Sequence, residues 1–297
     1  MKNKLSKILI IVGPTSSGKT SLSIKLAKKF NGEIISADSR QVYKGMDLGT
    51  GKVTKKEMQG IKHYLLDVVF PNTQFNAAKF VKLGDKAIKE IIKKGKLPII
   101  CGGTGFWIDA LLYGLPETVA PDWKLRKKLE KLSAGELFNK LRRLSPERAR
   151  NIDPNNKRRL IRALEIALKT KKPVPLPSKI IKYDAFKVGI LRDRQDLKES
   201  IHKRLLIRMK LGMAREVSNL HKNGVSWRCL DDFGLEYRFI SRYLRGWLDK
   251  ETMLKQLEIA INQYAKRQMT WFKKDKEIYW SANIKNIIDK IKKWLLK

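Results

Sequence analysis

Residues 13–20, Gly13-Pro14-Thr15-Ser16-Ser17-Gly18-Lys19-Thr20, fit the pattern G-x-x-x-x-G-K-[ST]. An apolar strand, residues 8–12, leads into them, and Leu22, Ile24, Leu26, Ala27 and Phe30 follow at helical spacing. Glycines let successive backbone N–H groups turn toward a phosphate, and the helix N-terminus adds partial positive charge. Within that cradle Lys19 is expected on the terminal phosphates and the Thr20 hydroxyl on Mg²⁺. A phosphorylated ligand is implied, but the loop alone does not say whether a phosphoryl group moves.

Outward from the loop, strand patterns at Lys7–Val12, 33–37, 64–69 and Leu97–Cys101 alternate with helical ones, including 76–94, which Gly95 stops. Such alternation predicts a parallel sheet with helices on both faces. From Asp122 to Leu176 strands vanish and basic pairs such as Arg142-Arg143 and Arg158-Arg159 appear. The Pro-rich stretch 172–177 reads as a linker. Beyond it come a strand at 186–191, one long amphipathic helix at 195–222, and helices at 236–244 and Lys250–Phe272. The fold class expected is α/β, a parallel sheet like that of P-loop nucleoside-triphosphate hydrolases. Its expected division is a core at 1–118, a helical insertion at 119–180 and a mostly helical return at 181–297.

The 297 residues include 65 Lys+Arg against 29 Asp+Glu, a net charge of +36 that suits a polyanionic partner. No apolar run approaches the roughly 20 residues a membrane helix needs. Cys101 and Cys229 cannot form a disulfide framework or, by themselves, a zinc site. A cytoplasmic protein is expected.

Asp38 ends the 33–37 strand at the same sheet edge as the phosphate loop. It could hold Mg²⁺ through water or act as general base toward an acceptor beside the phosphates. Asp67 is a second candidate metal ligand, and the glycines of 102–105 allow close ligand approach at the strand ends.

Six blocks occur in order: GPTSSGKT (13–20), SADSRQVY (36–43), GMDLGTG (45–51), CGGTG (101–105), RRLIRALEI (158–166) and QYAKRQMTW (263–271). Together they resemble the tRNA dimethylallyltransferases, from Lys7 to Lys273. The resemblance implies transfer of a dimethylallyl group from dimethylallyl diphosphate to N6 of the adenosine 3′ to the anticodon. Diphosphate would sit on residues 13–20 and Asp38 would be the base. Thr104 would contact the target nucleotide and Arg208 the diphosphate. The same resemblance places Asp38, Ser39, Arg40, Gln41, Thr104, Arg126, Arg158, Arg159, Leu160, Ile161, Arg162, Lys266 and Arg267 on the tRNA anticodon stem-loop. It implies Mg²⁺ and, with no protein partner indicated, a monomer.

The sequence departs from the family pattern at Asp231-Asp232-Phe233-Gly234-Leu235-Glu236, where acids stand in place of a basic contact. It has no zinc finger of the kind eukaryotic relatives carry, so a bacterial type is expected. A related isopentenyltransferase acting on free AMP, ADP or ATP, or a P-loop kinase, would keep the phosphate loop without needing the RNA-contacting blocks.

Overall fold

The computed structural model describes residues 5–115, 119–175 and 180–297. The expected boundary at 118, and Leu176 and Pro177 of the Pro-rich stretch, lie outside them. By compactness the chain divides into one unit of Met1–Leu112 with Ile181–Lys297 and a second of Tyr113–Ile180.

In chain order the first unit opens with β1 (Lys7–Val12), α1 (Lys19–Lys29), β2 (Gly32–Ser36), α2 (Lys55–Met58) and β3 (His63–Tyr64). It continues with α3 (Ala77–Lys93), β4 (Leu97–Cys101) and α4 (Gly105–Tyr113), whose last residue falls in the second unit. The second unit adds α5 (Trp123–Glu130), α6 (Ala134–Leu144), α7 (Pro146–Arg150) and α8 (Lys157–Thr170). The first then resumes with β5 (Asp184–Ile190), α9 (Arg194–Lys210), α10 (Met213–Lys222), α11 (Trp227–Phe233), α12 (Leu235–Leu244), α13 (Lys250–Phe272), β6 (Tyr279–Ser281) and α14 (Ile284–Leu295).

The sheet order is β3-β2-β4-β1-β5-β6, with every pairing parallel. β1 lies between β4 and β5, which explains its unbroken apolar run: both faces are covered. Leu9 and Ile11 pack with Leu22 and Ile24 of α1 and Ile287 and Ile291 of α14. Their alternates Ile8 and Ile10 are equally buried on the opposite face. In the helical unit, Leu137, Leu141, Leu160 and Leu164 form a separate core.

Three expectations change. The strand expected at 64–69 is cut to His63–Tyr64, because Leu65 (φ 62°) and Asp67 (φ 54°) take left-handed backbone that no strand tolerates. The single helix expected at 195–222 is two, α9 and α10, divided where Gly212 adopts φ 100°. The linker reading also changes at Val174, which is buried and donates its N–H to Ser145 Oγ at 3.0 Å. Among the described residues no helix is long and apolar enough to cross a membrane.

Candidate active site

A cleft of about 760 Å³ opens at the carboxyl ends of β1, β2 and β4, lined by residues 15–20, by 38–41 and by the 49–51 loop. Helices α9 and α13 face these loops across it.

The phosphate loop leaves β1 and enters α1 through Gly18, whose φ of 90° turns the chain; no side chain caps the helix there. The first N–H groups of α1 are therefore available to an anion. Ser17 Oγ is buried in this loop without a hydrogen-bond partner, a polar atom suited to a phosphate oxygen. Lys19 Nζ donates to Pro14 O at 2.6 Å. Burial pushes its pKa from 10.5 down to about 8; Arg204 adds to that, while Cys101 and Asp38 oppose it.

Asp38 is presented by a turn of its own making, its Oδ1 accepting from Arg40 N–H at 2.8 Å. The next loop braces it from behind. Thr104 N–H donates to Ala37 O at 3.2 Å, and Thr104 Oγ1 accepts from Ser39 N–H at 3.1 Å. Gly102 packs so closely that an added Cβ would stand 2.2 Å from Ala37 O. Thr104 is thus tied to Ser39 and does not itself line the cleft, whereas Ser39, Arg40 and Gln41 do.

The arginine pair of α9 divides its work. Arg204 lines the cleft and donates to Gly51 O at 3.1 Å. Burial first, and then neighbouring Arg208, lower its pKa. Arg208 is turned away: it donates to Leu48 O at 3.0 Å and Gly49 O at 3.2 Å, and pairs with Glu236 at 3.2 Å. The geometry gives the cleft position expected of Arg208 to Arg204, because Arg208 is consumed by the loop carbonyls. Asp67 also falls outside the cleft, its carboxylate 2.6 Å from Lys52 Nζ.

Helix α13 contributes more than a basic surface. Gln268 is buried, accepting from Thr15 N–H at 2.8 Å and donating to Gly103 O at 3.0 Å, so it joins the phosphate loop to the Gly-rich loop. Tyr264, Arg267 and Gln268 all line the cleft, and Trp271 packs over Gly105. Their i, i+3, i+4, i+7 spacing puts them on one helix face, a signal present in the sequence. Lys266 lies exposed outside the cleft. Arg192, which sequence reasoning missed, lines the cleft and donates to Ser16 O at 3.0 Å.

In the helical unit, the fully buried Glu165 gathers two of the expected RNA-contacting arginines. Arg126 reaches it with two bonds at 2.9 and 2.7 Å, and Arg162 with a third. Burial would raise the Glu165 pKa, but these arginines and the Asp122 N–H hold it at about 2. Arg126 and Arg162 remain partly exposed, and Arg158 and Arg159 are exposed. Leu160 and Ile161, 0% and 7% exposed, belong to the core. Their expected role as RNA contacts is corrected: on α8 it is Arg158 and Arg159 that stand exposed at the surface.

The strand order with the phosphate loop after the central strand places this chain among the P-loop α/β proteins. A family model described as IPP transferase matches residues 41–275. A tRNA dimethylallyltransferase of Acetivibrio thermocellus is 43% identical over 93% of this chain and 91% of its own length. One from Staphylococcus epidermidis is 42% identical over 92% and 86%. A solved structure of tRNA delta(2)-isopentenylpyrophosphate transferase from Staphylococcus epidermidis superposes with TM-score 0.71 and 39% identity, covering 98% of each chain. A eukaryotic dimethylallyltransferase acting on tRNA superposes at 0.79 with 28% identity, over 93% of this chain and 73% of its own. This chain belongs to the IPP transferase family, the tRNA dimethylallyltransferases.

Proposed function

We propose that this chain transfers a dimethylallyl group from dimethylallyl diphosphate to N6 of the adenosine immediately 3′ to the anticodon of a tRNA, releasing diphosphate. The supporting observation is the single cleft in which an Asp38 carboxylate faces an uncapped phosphate loop, in a chain of this family.

The diphosphate is held by the N–H groups at the start of α1, by Ser17 Oγ and by Lys19, with Arg192 and Arg204 at the cleft wall. As the N6–C1 bond forms, the C1–O bond breaks and its electron pair leaves on the diphosphate. Cationic and N–H groups fixed at the leaving group lower the barrier because negative charge grows there. Asp38 accepts the proton lost from N6. No group of three or more His, Cys, Asp or Glu able to hold a metal exists among the described residues. Thr20, an exposed residue lining the cleft directly after Lys19, offers a hydroxyl to Mg²⁺, an ion that keeps water and phosphate ligands. When bound, Mg²⁺ would neutralise charge on the leaving diphosphate, with Thr20 as its protein ligand.

A stacked adenosine must be extruded to reach this cleft, at a cost of roughly a few kcal/mol. Arg126, Arg158, Arg159 and Arg162 of the 119–180 insertion, with Ser39, Arg40, Gln41, Lys266 and Arg267, supply the compensating contacts to the anticodon stem-loop. Thr104 acts on the nucleotide through Ser39. The protein works as a monomer in the cytoplasm. Labelled dimethylallyl diphosphate offered together with AMP and unmodified tRNA tests this: label is expected in tRNA, and label in AMP with none in tRNA would overturn it.

A further inference from the structure

Across the cleft from the phosphate loop, consecutive N–H groups of Asp47, Leu48 and Gly49 converge on one carboxylate, that of Glu216 on α10, at 2.9, 2.6 and 3.0 Å. Tyr237 O–H donates to the same carboxylate at 2.8 Å. Backbone N–H groups aimed at one point form an anion-binding nest, and here a side chain of the protein fills it. The opposite side of the same loop is gripped by Arg208 on the carbonyls of Leu48 and Gly49. At Gly49 a Cβ would stand 2.5 Å from the Tyr237 ring, so the loop lies directly against α12. What the nest holds in place is cleft wall: Gly51 O accepts from Arg204 at 3.1 Å and from Gln41 Nε2 at 3.4 Å, and both side chains line the cleft.

We infer that Glu216 is a positioning residue for prenyl transfer, its carboxylate fixing the 47–51 loop so that Gln41 meets the acceptor nucleotide and Arg204 the diphosphate. The inference rests on the function proposed above. Glu216 touches no reacting atom. It acts through the peptide units of the loop, at its Asp47, Leu48 and Gly49 N–H groups.

The test uses Glu216→Ala and Glu216→Gln in the full-length protein. Glu216→Ala is expected to lower kcat/KM for tRNA by about 30-fold, the loss of a charge-assisted hydrogen-bond cluster expressed as rate. Dimethylallyl diphosphate KM should rise by less than it does in Arg204→Ala, because Arg204 loses only its Gly51 anchor and the phosphate loop is untouched. Formate, a carboxylate small enough for the emptied nest, should restore the rate of Glu216→Ala while chloride at equal ionic strength does not. Glu216→Gln should share the defect without formate rescue, because its side chain still fills the space. Amide hydrogen exchange across residues 45–52 should quicken in Glu216→Ala and slow again with formate. That measurement needs no turnover, so it separates this inference from the proposed reaction, which the wild-type protein reports in the same assay. An unchanged exchange pattern in Glu216→Ala, or a defect that formate leaves unaltered in both exchange and rate, would overturn the inference.

Discussion

Gln268 is the point at which a single substitution should separate two loops of the cleft. Gln268→Leu keeps the volume roughly constant and removes both hydrogen bonds, leaving Thr15 N–H and the buried Gly103 carbonyl without their partner. Each unsatisfied group costs about 1–3 kcal/mol, so the pair should cost about 2–6 kcal/mol, with the lower half expected because Thr15 is only partly buried. Urea unfolding reads this as a lowered midpoint at constant slope. Because Thr15 and Gly103 both line the cleft, dimethylallyl diphosphate affinity should also fall, by about tenfold for each 1.4 kcal/mol that reaches the bound state. Lys266→Ala, two positions earlier on α13 and outside the cleft, should leave both readouts within error. A Gln268→Leu protein with wild-type midpoint and wild-type donor affinity would refute the stitching role.

Lys19 carries a pH prediction. A pKa of about 8 in the free cleft rises when a polyanion binds, so donor binding takes up a proton and weakens as pH climbs through about 8; calorimetry in buffers of different ionisation enthalpy measures the uptake, and an affinity independent of pH would contradict it. Arg204→Ala should raise donor KM with little loss of stability. Arg208→Ala should instead cost about 3–5 kcal/mol of stability through the Glu236 charge and loop carbonyls left behind; equal donor defects at intact stability would overturn that division. Glu165, whose pKa falls from 4.5 to about 2 on folding, stabilises the helical unit above its unfolded value, and that contribution is lost as pH drops through about 2. Glu165→Gln should flatten this acid dependence and weaken tRNA binding by misplacing Arg126 and Arg162, measured by acid titration of helicity and by filter binding at fixed salt.

What could be read from sequence follows from how local each interaction is. β1 and β4 were legible because central parallel strands are apolar throughout, and Lys250–Phe272 because its helical pattern is unbroken. β3 was overread, since backbone at Leu65 and Asp67 is set by Asp67 N–H bonding Gln41 O and by Lys52 holding the Asp67 carboxylate. Gly212 ends α9 in a Schellman-like turn that an intact hydrophobic stripe concealed. In the cleft, the phosphate loop declares itself in eight contiguous residues. The choice between Arg204 and Arg208 depends on carbonyls of the 48–51 loop more than a hundred positions away, and Gln268 finds Thr15 at a separation of 253. Periodicity cannot report such partners. The acidic departure near Gly234 likewise becomes intelligible only in space: Glu236 pairs with Arg208, and Asp231 with Arg242.

Asp38 carries the central claim, and nucleoside analysis of tRNA after reaction tests it most directly. Unmodified tRNA is incubated with dimethylallyl diphosphate and either wild-type protein or Asp38→Asn, then digested and resolved by mass spectrometry. The wild type should yield one N6-dimethylallyl adenosine 3′ to the anticodon, while Asp38→Asn binds tRNA normally and forms product at least about 100-fold more slowly, the scale of a lost general base. Full turnover by Asp38→Asn, or a wild-type product on any atom other than that N6, would contradict the mechanism.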